Sequence, residues 1–164
     1  MKFEGRVWKF GDNVDTDFII PGRFLNISED RILAQNCFAD SRPDFVKNVI
    51  PGDIIVAGSN FGCGSSREHA ARAIKAVGIS VIIAGSFARI FYRNAFNIGM
   101  PILESQEAAD AFSEGVRVSV DLASGEIRDL SSRNHYTAKS IPDFMMEIVK
   151  AGGLVKHIKA KGLV

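Results

Sequence analysis

The segment from Gly58 to Ala70, which reads GSNFGCGSSREHA, carries the residue types best suited to chemistry in this sequence. Two adjacent serines, Ser65 and Ser66, stand directly before Arg67. A run rich in Ala, Arg and Lys follows over residues 68–77 and predicts a helix. Backbone N–H groups at a helix start lack partners within the helix and favour an anion, and an arginine can hold a carboxylate or phosphate through two hydrogen bonds. The segment therefore predicts an anion site at a helix start, with a serine hydroxyl inside it.

This anion site follows neither of the two common phosphate-binding motifs. Gly62-Cys63-Gly64 is followed by two serines and an arginine, so the third glycine of the dinucleotide fingerprint is missing. The segment also lacks the lysine that ends a phosphate-cradling loop. A purely structural interpretation stays open, because serine is an ordinary capping residue and the glycines could simply form a tight turn.

Strand and helix patterns on both sides would position this segment. Residues 53–57 are apolar and β-branched, which predicts a buried strand, and residues 79–84 predict another. Residues 87–97 predict an amphipathic helix with Ser86 as its cap, and residues 117–128 predict a hairpin. These elements predict a compact α/β fold with a mixed sheet and flanking helices.

The rest of the chain adds shorter elements. They are strands at 7–10, 18–20, 101–103 and 134–137, short helices at 29–36, 43–47 and 106–112, and a terminal helix at 142–151. The tail at 156–164 is basic and is expected to be solvated. Because no internal boundary is indicated, residues 1–164 are interpreted as a single domain.

Composition and charge argue against several classes of protein. The chain has 164 residues, 46% of them hydrophobic, which suffices for one sizeable core. Its net charge of +1 gives no reason to expect nucleic acid or a membrane as a partner, and the charged start from Met1 to Arg6 is unlike a signal peptide. Two cysteines, Cys37 and Cys63, are too few for a disulfide framework, which favours an intracellular, cytoplasmic protein.

Three motifs resemble those of a known family. They are GDNVDTDFIIPGRFL at residues 11–25, the GSNFGCGSSREHA segment, and GSFARIFYRNAFNIGMP at residues 85–101. In this order they resemble the swivel domain of the aconitase superfamily, and in particular the separate small subunits of the 3-isopropylmalate dehydratase group, to which homoaconitase small subunits are similar. The resemblance covers nearly the whole chain and implies a swivelling β/β/α architecture.

The resemblance implies a hydro-lyase that moves a hydroxyl group between neighbouring carbons of a malate-type substrate by dehydration and rehydration, as in leucine biosynthesis. The family's proton base is a serine that corresponds to Ser65, and Arg67 would assist it and bind a substrate carboxylate. The family's Lewis acid is a 4Fe–4S cluster, which two cysteines are too few to hold. The chain is therefore expected to bind no metal itself and to act with a large subunit that carries the cluster, as a heterodimer or heterotetramer.

The same resemblance assigns further residues to substrate binding. Ser66 lies beside the base, Asp17 would bind substrate or orient Arg67, and Arg23 lies in a loop that leads to substrate in the family. A turn aspartate and a surface arginine are the structural alternatives for Asp17 and Arg23. Asn26 stands where isopropylmalate enzymes often have an apolar residue and homoaconitases often an arginine. The lack of a cation there favours 2-isopropylmalate, with homoaconitate, citramalate and dimethylmalate as alternative substrates.

Two functions of other classes stay open. A stand-alone binding module could hold a metabolite carboxylate at the serine–arginine segment without chemistry, partner or cluster. A serine hydrolase built on Ser65 is disfavoured, because the sequence has no Gly-x-Ser-x-Gly elbow and fixes no acid beside His69.

Overall fold

The computed structural model describes residues 1–162, and their strands form one seven-stranded sheet. The strands are Lys2–Lys9 (β1), Ile54–Ala57 (β2), Val81–Ala84 (β3), Ile102–Glu104 (β4), Arg117–Asp121 (β5), Glu126–Asp129 (β6) and His135–Thr137 (β7). Their order across the sheet is β4-β3-β2-β1-β5-β6-β7.

Helices connect and cover the strands within these residues. They are Thr16–Ile19 (α1), Asp30–Gln35 (α2), Phe45–Asn48 (α3), Glu68–Ala76 (α4), Arg89–Asn97 (α5), Gln106–Ala111 (α6), Asp143–Ala151 (α7) and Leu154–Ala160 (α8), with a 3₁₀ turn at Gly22–Phe24. Across residues 1–162, no helix combines the length and the apolar character that a membrane span requires.

Strand β1 divides the sheet into a parallel and an antiparallel half. It pairs in parallel with β2 and antiparallel with β5. On one side β2, β3 and β4 continue in parallel, and on the other β5, β6 and β7 are antiparallel. Every residue of β2 and β3 is buried, as expected for parallel strands that are covered on both faces.

The carboxyl ends of β1 and β2 lie side by side, and the loops that follow them meet there. Phe10 N donates to Val56 O at 2.8 Å, and Gly58 N donates to Gly11 O at 3.1 Å. In open sheets with parallel strands, ligands bind at this edge, where the loops after neighbouring strands converge. The serine–arginine segment begins at this edge, and α4 follows it.

The α/β class, the mixed sheet and the flanking helices predicted from the sequence are confirmed. The two buried central strands and the hairpin of β5 and β6 lie within a few residues of their predicted positions. Periodicity locates these elements well, because their apolar residues face a core that leaves little choice of register.

The strand predicted at 18–20 is wrong, because residues 16–19 form helix α1. Asp15 explains the difference. Its Oδ1 accepts a hydrogen bond from Phe18 N at 2.7 Å and so caps the helix. This local hydrogen bond outweighs the strand preference of the Phe-Ile-Ile run that follows.

The structure also differs from the sequence-based expectation at the start of α5 and in the C-terminal tail. Ser86 does not cap α5, which begins after Ala88; instead, Ser86 Oγ accepts a hydrogen bond from Asn60 N at 2.9 Å. The sequence does not predict α8, which spans Leu154–Ala160 and so includes the first five residues of the basic tail at 156–164. Residues 163 and 164 of that tail lie outside the described residues.

Candidate active site

Backbone hydrogen bonds join the loop after β1 to the loop after β2. Gly62 N donates to Val14 O at 2.7 Å, and Thr16 N donates to Cys63 O at 2.9 Å. Asn60 Nδ2 also donates to Asn13 Oδ1 at 2.9 Å. These bonds hold the DTD residues, Asp15 to Asp17, against the serine–arginine segment, although the two are far apart in sequence.

Two glycines shape the serine–arginine segment. Gly62 and Gly64 have φ angles of +76° and +91°, a region that residues with a side chain rarely adopt. A Cβ on Gly62 would also clash with the side chain of Phe91. The turn therefore depends on glycine at both positions, and at 62 the packing requires it as well.

Ser65 and Ser66 are exposed, and they precede the helix rather than begin it. Helix α4 starts at Glu68, and Arg67 occupies its N-cap position. The helix start predicted at residue 68 is thus confirmed, and Ser65 and Ser66 stand two to three residues before it. Among residues 1–162, no backbone carbonyl accepts a hydrogen bond from the N–H of Ser66 or Arg67. These N–H groups remain available to an anion at Ser65.

Ser65 has one neighbour that the sequence analysis does not single out. Thr16 Oγ1 donates to Ser65 O at 3.1 Å and lies 3.4 Å from Ser65 Oγ. Thr16 is 2% exposed, so its hydroxyl is fixed beneath the exposed serine. The only signal in the sequence is its place in the DTD motif, where the flanking aspartates draw attention first.

Arg67 forms an ion pair with Asp17 through Nη1 and Oδ1. The arginine side chain is 16% exposed and the aspartate side chain 62% exposed. The pair lies against Gly22, where an added Cβ would be 3.6 Å from Asp17 Oδ1 and 3.7 Å from Arg67 Nη1. In the free chain, the Asp17 carboxylate therefore contacts the arginine, next to Gly22.

Arg23 and Asn26 do not join this cluster. The guanidinium of Arg23 binds both carboxylate oxygens of Asp40, at 2.5 and 2.6 Å, and lies 4.7 Å from the ring centre of Phe24. A hydrogen bond from Arg23 lowers the pKa of Asp40 below its usual range. Asn26 is exposed, and Ile27 packs partly buried against the core.

The two cysteines lie apart from any group of metal ligands in the described part of the chain. Cys37 is fully buried, and burial raises the pKa of its thiol. Burial and the nearby Asp15 carboxylate also raise the pKa of Cys63. Within residues 1–162, no three His, Cys, Asp or Glu side chains are grouped closely enough to hold a metal ion. The described residues therefore do not fit a 4Fe–4S cluster, which needs three or four thiolates.

The arrangement brings a hydroxyl, a cation and two free N–H groups to one exposed edge of the sheet. Such a set can bind a carboxylate and stabilise negative charge on the serine oxygen. Among the described residues, no imidazole hydrogen-bonds to Ser65, so the set lacks the nucleophile–base pair of a serine hydrolase.

Comparison with known proteins gives concordant matches. A family model described as the aconitase C-terminal domain matches residues 5–108. A 3-isopropylmalate dehydratase small subunit of Wolinella succinogenes is 55% identical over 96% of this chain and 94% of its own length. One of Syntrophus aciditrophicus is 57% identical over 98% of each chain.

Solved structures agree with these sequence matches. A 3-isopropylmalate dehydratase structure from Methanocaldococcus jannaschii superposes with a TM-score of 0.94 at 45% identity, over 99% of this chain and 96% of that chain. Aconitase X from Thermococcus kodakaraensis has a TM-score of 0.55 at 21% identity, over 79% of this chain and 91% of that chain, and shares the fold alone.

Proposed function

The chain belongs to the aconitase C-terminal domain family and, within it, to the 3-isopropylmalate dehydratase small subunits, and on that premise we propose that it supplies the proton-transferring half of a hydro-lyase. The reaction converts 2-isopropylmalate to 3-isopropylmalate by removal and return of water, a step of leucine biosynthesis. The observation that carries the proposal is an exposed Ser65 in the segment that leads to Arg67, where the N–H groups of Ser66 and Arg67 donate to no backbone carbonyl of residues 1–162.

Ser65 is proposed as the base. In the dehydration step its oxygen takes a proton from a carbon next to a substrate carboxylate, and in the rehydration step it returns a proton to the neighbouring carbon. A free serine is a very weak base at neutral pH, so its alkoxide needs strong local stabilisation. The N–H groups of Ser66 and Arg67 are proposed to give it, and donors of this kind are worth about 3 kcal/mol each.

Arg67 is proposed to bind a substrate carboxylate and to add positive potential at Ser65. Its guanidinium can hold a carboxylate through two parallel hydrogen bonds, a geometry that lysine cannot reproduce. Asp17, the more exposed member of the ion pair, already contacts the guanidinium. A substrate carboxylate would therefore meet an arginine whose position is set before binding. Ser66 completes the carboxylate pocket in this proposal.

The remaining half of the chemistry is assigned to the partner. The departing hydroxyl group needs a Lewis acid, and the described residues do not fit a 4Fe–4S cluster. Because this chain belongs to a family of small subunits, it is expected to have a large-subunit partner. We propose that the cluster, which would supply the Lewis acid, lies on that large subunit. Both cysteines are free thiols, which supports a cytoplasmic location.

The substrate assignment to isopropylmalate follows from the group to which the chain belongs. Asn26 offers no charge for the additional carboxylate of homoaconitate, and Arg23 is held by Asp40. Neither residue therefore supports a tricarboxylic substrate. Their proposed contribution is to line the entrance to the site once the large subunit is bound.

Coexpression with the large subunit tests the proposal. After anaerobic reconstitution with iron and sulfide, turnover of 2-isopropylmalate is followed by the absorbance of the unsaturated intermediate. We expect turnover only with both chains present. Ser65→Ala should lower kcat at least about 100-fold and leave KM within about threefold, because a general base acts after binding.

Ser124→Ala is the matched control for that substitution. Ser124 is exposed in the turn between β5 and β6, at the opposite end of β1 from the site. Its substitution should leave kcat unchanged. Near-normal turnover by the Ser65→Ala complex would show that the base is another residue.

A further inference from the structure

The buried hydroxyl of Thr16 lies directly beneath the proposed base. Its Oγ1 is 3.1 Å from Ser65 O and 3.4 Å from Ser65 Oγ, so one hydroxyl contacts both the main chain and the side chain of Ser65. A threonine hydroxyl has a single proton to donate and two lone pairs to accept with. In the resting state it donates to Ser65 O, and its lone pairs can accept the proton of Ser65 Oγ.

We propose that Thr16 is a positioning residue that orients the Ser65 hydroxyl and stabilises its alkoxide, an inference that rests on the proposed role of Ser65. When Ser65 donates its proton toward Thr16, its own lone pairs face the exposed side, where the substrate C–H arrives. Before substrate binds, the exposed Ser65 hydroxyl gives up its proton to solvent. The Thr16 hydroxyl then turns about its Cβ–Oγ bond and donates to the alkoxide, which takes the proton from the substrate carbon. A hydrogen bond to the charged form lowers the pKa of that group.

The surroundings of Thr16 fix its hydroxyl for this task. Thr16 N donates to Cys63 O at 2.9 Å, and Thr16 O accepts from Ile20 N at 3.0 Å, so its backbone is held on both sides. Its β-branched side chain has few allowed rotamers. The hydroxyl can therefore change its proton direction while its oxygen stays in place.

Gly64 lies next to the Thr16 hydroxyl, where a Cβ would be 3.4 Å from Thr16 Oγ1 and 3.5 Å from Asp15 Cβ, both ordinary contact distances. Its φ of +91°, rather than a lack of space, is what favours glycine there. The turn at Gly64 thus keeps Ser65 next to the Thr16 hydroxyl.

The first test compares variants in the reconstituted complex with the large subunit. Thr16→Val keeps the shape and removes the hydroxyl, whereas Thr16→Ser keeps the hydroxyl. We expect Thr16→Val to lower kcat on the order of 10- to 100-fold, with KM within about twofold, because a hydrogen bond to a charged group is lost. The rising limb of its kcat–pH profile should move to higher pH, and Thr16→Ser should restore kcat to within about threefold.

Two controls separate this role from folding. Thr137→Val makes the same chemical change at an exposed threonine on β7 and should leave kcat and the pH profile unchanged. If Thr16→Val does not fold, Thr16→Ser is compared with Thr16→Ala, since these two variants differ only in the hydroxyl.

The second test needs no turnover. In the full chain carrying Ser65→Cys and Cys63→Ala, the rate of alkylation by iodoacetamide is measured against pH. Cys37 is fully buried and should react slowly. We expect the pKa of the thiol at position 65 to rise on the order of one unit when Thr16→Val is added, because the anion loses its donor.

The outcomes separate the two proposals. A thiol pKa that does not respond to Thr16→Val, or a Thr16→Val complex with kcat within about twofold of the parent, overturns the role of Thr16. An equal loss of kcat in Thr16→Ser and Thr16→Val also overturns it, since the variant that keeps the hydroxyl would then be as impaired as the variant that lacks it. A parent complex inactive on isopropylmalate, together with the expected thiol shift, overturns the proposed function and leaves Thr16 supported.

Discussion

Arg67 is mostly buried, yet it already pairs with a carboxylate in the free chain. Its partner, Asp17, is well exposed, so the aspartate can move more readily than the arginine. An exposed ion pair contributes little to stability on average. The pair therefore matters mainly for position, because it ties the Arg67 guanidinium to Asp17 of the DTD motif.

Asp17→Asn tests whether that position matters. The amide keeps the size of the side chain but removes the charge that holds Arg67. We expect kcat/KM of the complex to fall about 10-fold, the cost of a loosened charge-assisted hydrogen bond. In an Arg67→Lys background the same change should have little further effect, because residues that act through one another are not additive.

Glu147→Gln provides the control for Asp17→Asn. Glu147 forms an exposed ion pair with Lys161 between α7 and the end of α8. This variant should retain the parent kcat/KM. If Asp17→Asn reduced kcat/KM equally in the parent and in the Arg67→Lys background, Asp17 would contact substrate itself rather than orient the arginine.

Strand β2 leads into the site, and Asp53 fixes its beginning. Asp53 is 5% exposed and accepts hydrogen bonds from Trp8 Nε1 at 2.8 Å, Ile50 N at 3.0 Å and Arg6 Nη2 at 3.0 Å. Burial opposes ionisation of this carboxyl, but the hydrogen bonds from Ile50, Trp8 and Arg6 together hold its pKa below the usual value. One carboxylate thus ties β1 to the start of β2.

Asp53→Asn should destabilise the chain by about 2 kcal/mol at pH 7, because charge-assisted hydrogen bonds to a buried group are lost. The pKa of Asp53 is lower in the folded state than in the unfolded state, so its contribution is complete above the unfolded pKa, about 4. That contribution is lost as the pH falls through the folded pKa. Urea unfolding of parent and variant should therefore give curves that converge in acid.

Asp143→Asn, at an exposed position in the first turn of α7, is the control and should give a small difference at every pH. A loss of stability in Asp53→Asn that stayed constant down to acid pH would show that the side chain contributes by shape rather than by charge.

The elements that the sequence predicts well are those with long-range burial. The central strands are apolar throughout and are confirmed, whereas the anion site indicated by residues 62–67 stays a prediction. What the sequence does not show is decided by single hydrogen bonds. The cap from Asp15 turns a strand-like run into α1, and the backbone bond from Thr16 to Cys63 brings a buried hydroxyl to Ser65. The hydrophobic periodicity of the sequence does not reveal these contacts, because they join loops that are distant in sequence or act at a single residue.

The whole molecule presents its candidate site at an open edge rather than in a closed cavity. Ser65 and Ser66 are exposed, and the N–H groups of Ser66 and Arg67 donate to no backbone carbonyl within residues 1–162. Electrostatic stabilisation of an alkoxide is strong only where water is excluded. The proposed chemistry therefore requires that the large subunit cover this edge. On this proposal the small subunit alone should be inactive, because its site is open to water and because the proposed Lewis acid lies on the large subunit.

Competition between parent and Ser65→Ala chains tests this dependence on assembly. Ser65 is exposed, so its truncation leaves the core intact, and the variant should still occupy the large subunit. When a limiting amount of large subunit is reconstituted with excess mixtures of the two chains, activity should fall in proportion to the mole fraction of Ser65→Ala. Adding the same excess of parent chain instead should leave activity unchanged. Full activity in the presence of excess variant would mean that Ser65 is needed for association with the large subunit. The loss of activity in Ser65→Ala could then not be attributed to loss of the base.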